Sequence, residues 1–189
     1  MINETAFLVS SVICSKLSQS KVDSFGCNIK QTEPLFDMVH NSFPNLSHYE
    51  KVIDYLPLIL GAFVFILAVT KHPELKLDKL FRTVALVIFL RSLTTVVTVL
   101  PSPICGMKKV EAIGGCHDCI FSGHTSMTLI FSYFIYLCIP DLKELLIGYS
   151  ILTSFFIIVT RSHYTIDVIV AWIVVYAIIK SVVGENMLK

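Results

Sequence analysis

Five apolar segments, each near the length a helix needs to cross a bilayer, leave this chain few ways to fold. They are Val52–Thr70, Thr83–Leu100, Ile120–Ile139, Leu145–Thr160 and Tyr164–Val183, and a spanning helix takes roughly 20 residues. In hydrocarbon every backbone N–H and C=O must find a partner within the protein, so runs of this length fold as helices. Only 15% of the 189 residues are charged, against about a quarter in soluble domains, and the mean hydropathy is +0.74. The expected class is therefore all-α, a polytopic transmembrane helical bundle with five firm spans and a candidate sixth at the N-terminus. That candidate, Ala6–Leu17, is short and rather polar, and it lacks the basic lead of a cleaved signal peptide. Three regions follow: residues 1–51 as an N-terminal segment and exoplasmic loop, 52–183 as the transmembrane catalytic domain, and 184–189 as a cytoplasmic tail. Within the first, Ser18–Lys51 reads as a loop with partial helix around Phe36–His40.

Orientation follows from the basic residues. Lys71, Lys76, Lys79 and Arg82 crowd the connection between the first two spans, which the positive-inside rule places in the cytoplasm. Residues 101–119 and 161–163 are then exoplasmic, although Lys108 and Lys109 pull the other way. The net charge of +1, with no basic stripe, speaks against a nucleic-acid partner. Asn3-Glu4-Thr5 and Asn45-Leu46-Ser47 match the glycosylation tripeptide, a pattern common by chance. Cys116-His117-Asp118-Cys119 has the spacing of a zinc half-site. No second ligand pair stands out, which favours a disulfide or thiols.

Two polar motifs interrupt this apolar background at the heads of spans: Ser122-Gly123-His124-Thr125 and His163-Tyr164-Thr165-Ile166-Asp167. If the two segments between the histidines both cross, His124 and His163 face the same aqueous surface. Ionisable residues at membrane depth are costly and mark function by default. The four-residue spacing of His163 and Asp167 puts them on one helical face, where the carboxylate can fix the imidazole tautomer and raise its basicity. Such a histidine suits attack on phosphorus; the bland reading is a structural hydrogen bond at a helix start. Gly123 permits close backbone approach, and with Ser122 it opens a helix whose exposed N–H groups attract phosphate. His124 can protonate a leaving alkoxide and then accept a proton from an incoming hydroxyl. Arg91, mid-span, needs an anion, either a lipid phosphate or an interhelical partner such as Asp167 or Asp118. Asp118 can cap the third span or steady a histidine, and Arg161 can bind phosphate or mark the membrane edge.

Taken together, Cys116, Asp118, Phe121-Ser122-Gly123-His124-Thr125 and His163-Tyr164-Thr165-Ile166-Asp167-Val168 resemble two signature motifs of the sphingomyelin synthase family. That family lies within the lipid phosphate phosphatase/phosphotransferase superfamily. Pro34-Leu35-Phe36-Asp37 is similar to an upstream element of the family. Arg91, Thr94, Thr98, Leu100, Pro101 and Pro103 match the spacing of another. The resemblance implies transfer of phosphocholine from phosphatidylcholine to ceramide through a phosphohistidine, giving sphingomyelin and diacylglycerol. Phosphoethanolamine and phosphoinositol are the headgroups of other members. It further implies a catalytic triad on His124, His163 and Asp167, with Asp118, Ser122, Gly123, Arg91 and Arg161 toward substrate. No metal or other cofactor enters that scheme. The implied partners are a phospholipid donor and a ceramide acceptor within the membrane, and a homo-oligomer is compatible. The implied location is the Golgi or plasma membrane, with the site lumenal or extracellular. The sequence departs from the family at His117 (usually glycine), at Trp172 (usually tyrosine) and at Asp78-Lys79, where paired arginines are expected. The competing classes are a lipid phosphate phosphatase, in which water resolves the phosphohistidine, and a non-catalytic lipid-binding protein. The phosphatase's Lys-x6-Arg-Pro element is absent from the sequence.

Overall fold

A computed structural model describes residues 2–29, 34–98, 100, 101, 103 and 119–184. Seven α-helices occupy them: α1 (Ile2–Ile29), α2 (Met38–Ser42), α3 (Glu50–Val69), α4 (Leu77–Val97), α5 (Gly123–Cys138), α6 (Lys143–Val159) and α7 (Thr165–Val183). This is the expected all-α bundle. The helices long and apolar enough to cross a membrane are α3, α4, α6 and α7, counting with α3 and α6 the short 3-10 turns that lead into them. The fifth expected span is α5. Its 16 residues rise about 24 Å, short of a hydrocarbon core of about 30 Å. It packs against α3, α4, α6 and α7, so protein surrounds it.

The core follows from that placement. Ile130, Phe134 and Ile135 of α5 are fully buried, with Val87 of α4 and Ala171 and Val175 of α7 against them. Small polar residues are buried in α5 and α6: Ser126, Thr128, Ser132, Ser150, Thr153 and Ser154. Ser132 Oγ and Ser150 Oγ share a hydrogen bond of 3.1 Å, and Trp172 Nε1 donates to Ser154 Oγ at 3.0 Å. Close approach through small residues and interhelical hydrogen bonds is how helices associate where lipid removes the hydrophobic drive. Conversely, Leu58, Ile59, Phe65, Leu152, Ile173 and Tyr176 point outward, as a lipid-facing shell requires.

Two boundaries differ from the sequence reading. The N-terminal segment forms one helix of 28 residues lying along α4, where a short apolar stretch followed by a loop was expected. Its apolar residues are spread around the helix without favouring one side, so it has no periodic signal, and packing decides it. Likewise α4 begins at Leu77, ahead of the expected Thr83, because Asp78, Lys79 and Arg82 form its polar first turns. Lys79 Nζ donates to the Val183 carbonyl at the end of α7, at 3.1 Å, the favourable place for a cation on a helix C-terminus. The shift leaves Arg91 in the last two turns of α4 rather than mid-span.

Candidate active site

The end of α6 sets the geometry. Arg161 N donates to Ile158 O at 2.9 Å and Ser162 N to Ile157 O at 3.2 Å, the paired bonds of a Schellman motif. The motif places its left-handed residue at Arg161, φ 63°, where glycine is the usual occupant. What holds an arginine there is its side chain: Nη2 donates to the carbonyls of His40 and, at 3.1 Å, Phe43. The turn thus carries the chain from α6 into His163 while fastening the segment around α2 beside it.

That segment is fixed at several further points. Asp37 N-caps α2 through Val39 N and His40 N, at 2.9 and 3.1 Å. It also accepts from Thr165 N at 2.7 Å and Thr165 Oγ1 at 2.9 Å, so one carboxylate serves the N-termini of two helices. Burial pushes the Asp37 carboxyl up, but the hydrogen bonds from Thr165 and His40 outweigh it and leave it below its ordinary 3.8. The Tyr164 hydroxyl donates to Pro101 O at 3.0 Å and accepts from Leu35 N at 2.9 Å. His40 Nε2 lies 3.1 Å from the His163 carbonyl, and its ring stacks on Tyr164.

Within this frame the two histidines share one end of the bundle, their ring centroids 6.4 Å apart. His163 precedes α7 rather than lying on its face, and the first turn of α7 brings Asp167 beneath it. His163 Nδ1 stands 3.5 Å from Asp167 Oδ2, while that same oxygen accepts from Tyr164 N at 3.0 Å. The gap exceeds a hydrogen bond, and closing it takes a shift of about 0.5 Å. Both residues are buried, 6% and 2% exposed. Across from them His124, in the first turn of α5, meets an unexpected partner: its Nε2 is 2.9 Å from Asp54 Oδ1 of α3. The pair is more open, its side chains 29% and 59% exposed. Asp54 lies 70 positions from His124, and only the packing of α3 on α5 unites them.

The remaining sequence candidates take mostly backbone-binding positions. Ser122 is buried and caps α5, its hydroxyl accepting from Thr125 N at 3.2 Å and its N–H donating to Asp167 O at 3.2 Å. Arg91 Nε donates to Phe121 O at 3.1 Å. A Cβ on Gly123 would meet that nitrogen at 3.5 Å, an ordinary contact, so the guanidinium lies against the start of α5 without itself demanding glycine there. Arg161 is engaged as described. Asp118, with Cys116 and His117, lies outside the described residues. The sequence reading missed Asp54 and His40, and noted Asp37 only through a motif.

Residues 115–182 match the model described as PAP2 superfamily C-terminal. Across that stretch, which contains both histidine motifs, the chain is similar to PAP2 superfamily proteins, a likeness that supports the lipid phosphate phosphatase/phosphotransferase superfamily. Among curated proteins, the chain is similar to phosphatidylinositol:ceramide inositolphosphotransferase 3 of Arabidopsis thaliana, 44% identical over 62 residues, covering 32% of this chain and 22% of that one. It is also similar to the phosphatidylinositol:ceramide inositolphosphotransferase of Oryza sativa, in subsp. indica and subsp. japonica alike, 40% identical over 67 residues, 34% of this chain and 21% of theirs. The chain thus spans about a fifth of the length of these relatives.

Proposed function

We propose that this protein is a membrane-embedded phosphotransferase that moves a phospho-headgroup from a glycerophospholipid to ceramide. The observation that carries the proposal is the pair of histidines at one end of the bundle, each beside its own carboxylate. With Nδ1 turned to Asp167, His163 presents Nε2 to the donor. A phosphorus–nitrogen bond forms there as the bond from phosphorus to the diacylglycerol oxygen breaks. His124 gives a proton to that leaving oxygen, and the product is diacylglycerol. The ceramide hydroxyl then yields its proton to His124 and attacks the phosphorus, breaking the phosphorus–nitrogen bond and restoring both imidazoles.

Phosphatidylcholine is the donor that the motifs suggest, and phosphatidylethanolamine is its near alternative. The plant relatives favour phosphatidylinositol, which stands in their names. One assay decides among them: membranes carrying the protein receive fluorescent ceramide with one defined donor at a time. A headgroup-bearing ceramide made from a single donor names the reaction. Phosphate released from a lipid phosphate without any ceramide product replaces the transferase with a phosphatase, and no product in either arm sinks both. His163→Ala is expected to abolish product, and a fully active variant would remove His163 as the nucleophile.

A further inference from the structure

Cys119 stands just ahead of α5 and takes no part in the phosphoryl-transfer scheme. Its sulfur, one imidazole nitrogen of His163 and one carboxylate oxygen of Asp167 all lie within 4.8 Å of one another. All three residues are buried, Cys119 at 2% exposed. His163 Nδ1 is itself buried and has no hydrogen-bond partner among the described residues, an unsatisfied atom 3.5 Å from Asp167 Oδ2. A tetrahedral ion with bonds of about 2.0–2.3 Å spaces its ligands about 3.3–3.7 Å apart. An inward movement of about 1 Å therefore closes the three donors on a common centre. One sulfur, one imidazole and one carboxylate suit a borderline-soft ion such as zinc; magnesium and calcium take oxygen alone. Of the Cys-His-Asp-Cys run at 116–119, Cys119 enters this cluster, joined by His163 from the α6–α7 turn and Asp167 from the first turn of α7.

We propose that Cys119, His163 and Asp167 form an inhibitory site for a thiophilic divalent cation, Zn2+, with the fourth position open to water. Binding releases the thiol proton to solvent. The ion takes a ring nitrogen of His163 and the carboxylate that orients it, so the imidazole can no longer attack phosphorus. Inhibition rests on His163 being the nucleophile; binding does not.

The test uses the full chain in detergent micelles, stripped of metal with a chelator. It is titrated with Cd2+, whose bond to a thiolate gives an ultraviolet charge-transfer band, and then with competing Zn2+. One ion per chain is expected, and Asp167→Asn should weaken it. Cys119→Ala and the near-isosteric Cys119→Ser should remove the band and lose at least about 100-fold in affinity, the upper end of what loss of a mere outer-shell partner costs. Cys116→Ala should retain both band and affinity. Undiminished binding in either Cys119 variant overturns the site, as does a wild-type chain that binds no ion. The second readout is the ratio of ceramide transfer with and without Zn2+ for each variant. That ratio should fall below about one tenth in the wild type, recover with chelator, and stay near one in the Cys119 variants. A bound ion that leaves turnover unchanged or raises it overturns the inhibitory role. Should the chain transfer nothing to ceramide under any condition, the proposed function falls, while the Cd2+ titration still decides the site.

Discussion

An imidazole attacks phosphorus only while one nitrogen keeps its lone pair and the ring is held in line. In the proposed reaction the carboxylate of Asp167, 3.5 Å from His163 Nδ1, closes on it to serve both needs, its own position held by the Tyr164 amide. Asp167→Asn keeps the shape but can donate to Nδ1 and favour the wrong tautomer. Where an aspartate holds a histidine this way, that change costs about 10⁴ in kcat, and a loss of about 10²–10⁴ is expected here, read as initial rate at saturating donor. The Asp54 carboxylate makes His124 Nε2 the proton-bearing nitrogen, leaving Nδ1 as the acceptor. Asp54→Asn should then lower kcat by about 10–100-fold, less than the roughly 10²–10⁴ that general acid–base catalysis supplies as a whole, with KM nearly unchanged. A KM rise at constant kcat would make Asp54 a substrate contact instead. His163 and Asp167 could be found in the sequence because they sit four positions apart in an apolar setting. Asp54 could not, since nothing local marks an aspartate near the start of a span as the partner of a histidine two helices on.

At the scale of elements, the segment from Leu35 to Phe43 works as a strap across the α6–α7 turn. Its attachments are Asp37 to Thr165, Arg161 to the His40 and Phe43 carbonyls, and His40 to the His163 carbonyl. Arg161→Gly relieves the left-handed strain of about 1–2 kcal/mol yet deletes the guanidinium bonds, whereas Arg161→Ala loses those bonds and keeps the strain. The glycine variant should therefore be the more stable of the two, both below wild type, in thermal unfolding of the purified protein. Burial holds His40 below its ordinary 6.5, against the opposing pull of Asp37 and with the help of Arg161, so the docked ring stays neutral. As pH falls through 6.5 the undocked ring gains a proton before the docked one does. Docking is then at full strength above 6.5 and weakens from there toward the lower docked value. Hydrogen-exchange protection factors across 35–43, referred to the intrinsic exchange rate at each pH, should fall between pH 7.5 and pH 5.5, and His40→Asn should flatten that difference. The five long apolar runs announced their helices because length and composition suffice in a bilayer. The strap showed in the sequence only as partial helix around Phe36–His40, near the observed α2; its docking did not, being set by contacts more than 100 positions away, such as Leu35 to Tyr164 at 129.

The whole molecule has an apolar outer shell, buried serines and threonines inside, and its histidine–carboxylate cluster at one end. The other end carries Lys71, Lys76, Lys79 and Arg82, the last two within α4. A basic connection is expected on the cytoplasmic side; with α3 and α4 long and apolar enough to cross once each, we propose that the end with His124 and His163 faces the lumenal or outer side. Two single substitutions put this to the test. Asn45→Cys lies at the site end, on an exposed position whose neighbour Leu46 N donates to Val159 O at 3.0 Å. Glu74→Cys is exposed in the turn between α3 and α4. In sealed membranes an impermeant thiol reagent added outside should label the first above the wild-type background and leave the second untouched until the membrane is opened. The reverse pattern would place the histidines in the cytoplasm, where the site would meet donor lipids of the inner leaflet. Labelling of both from outside would break the assignment of α3 as a span, and with it the shared face on which the two histidines act.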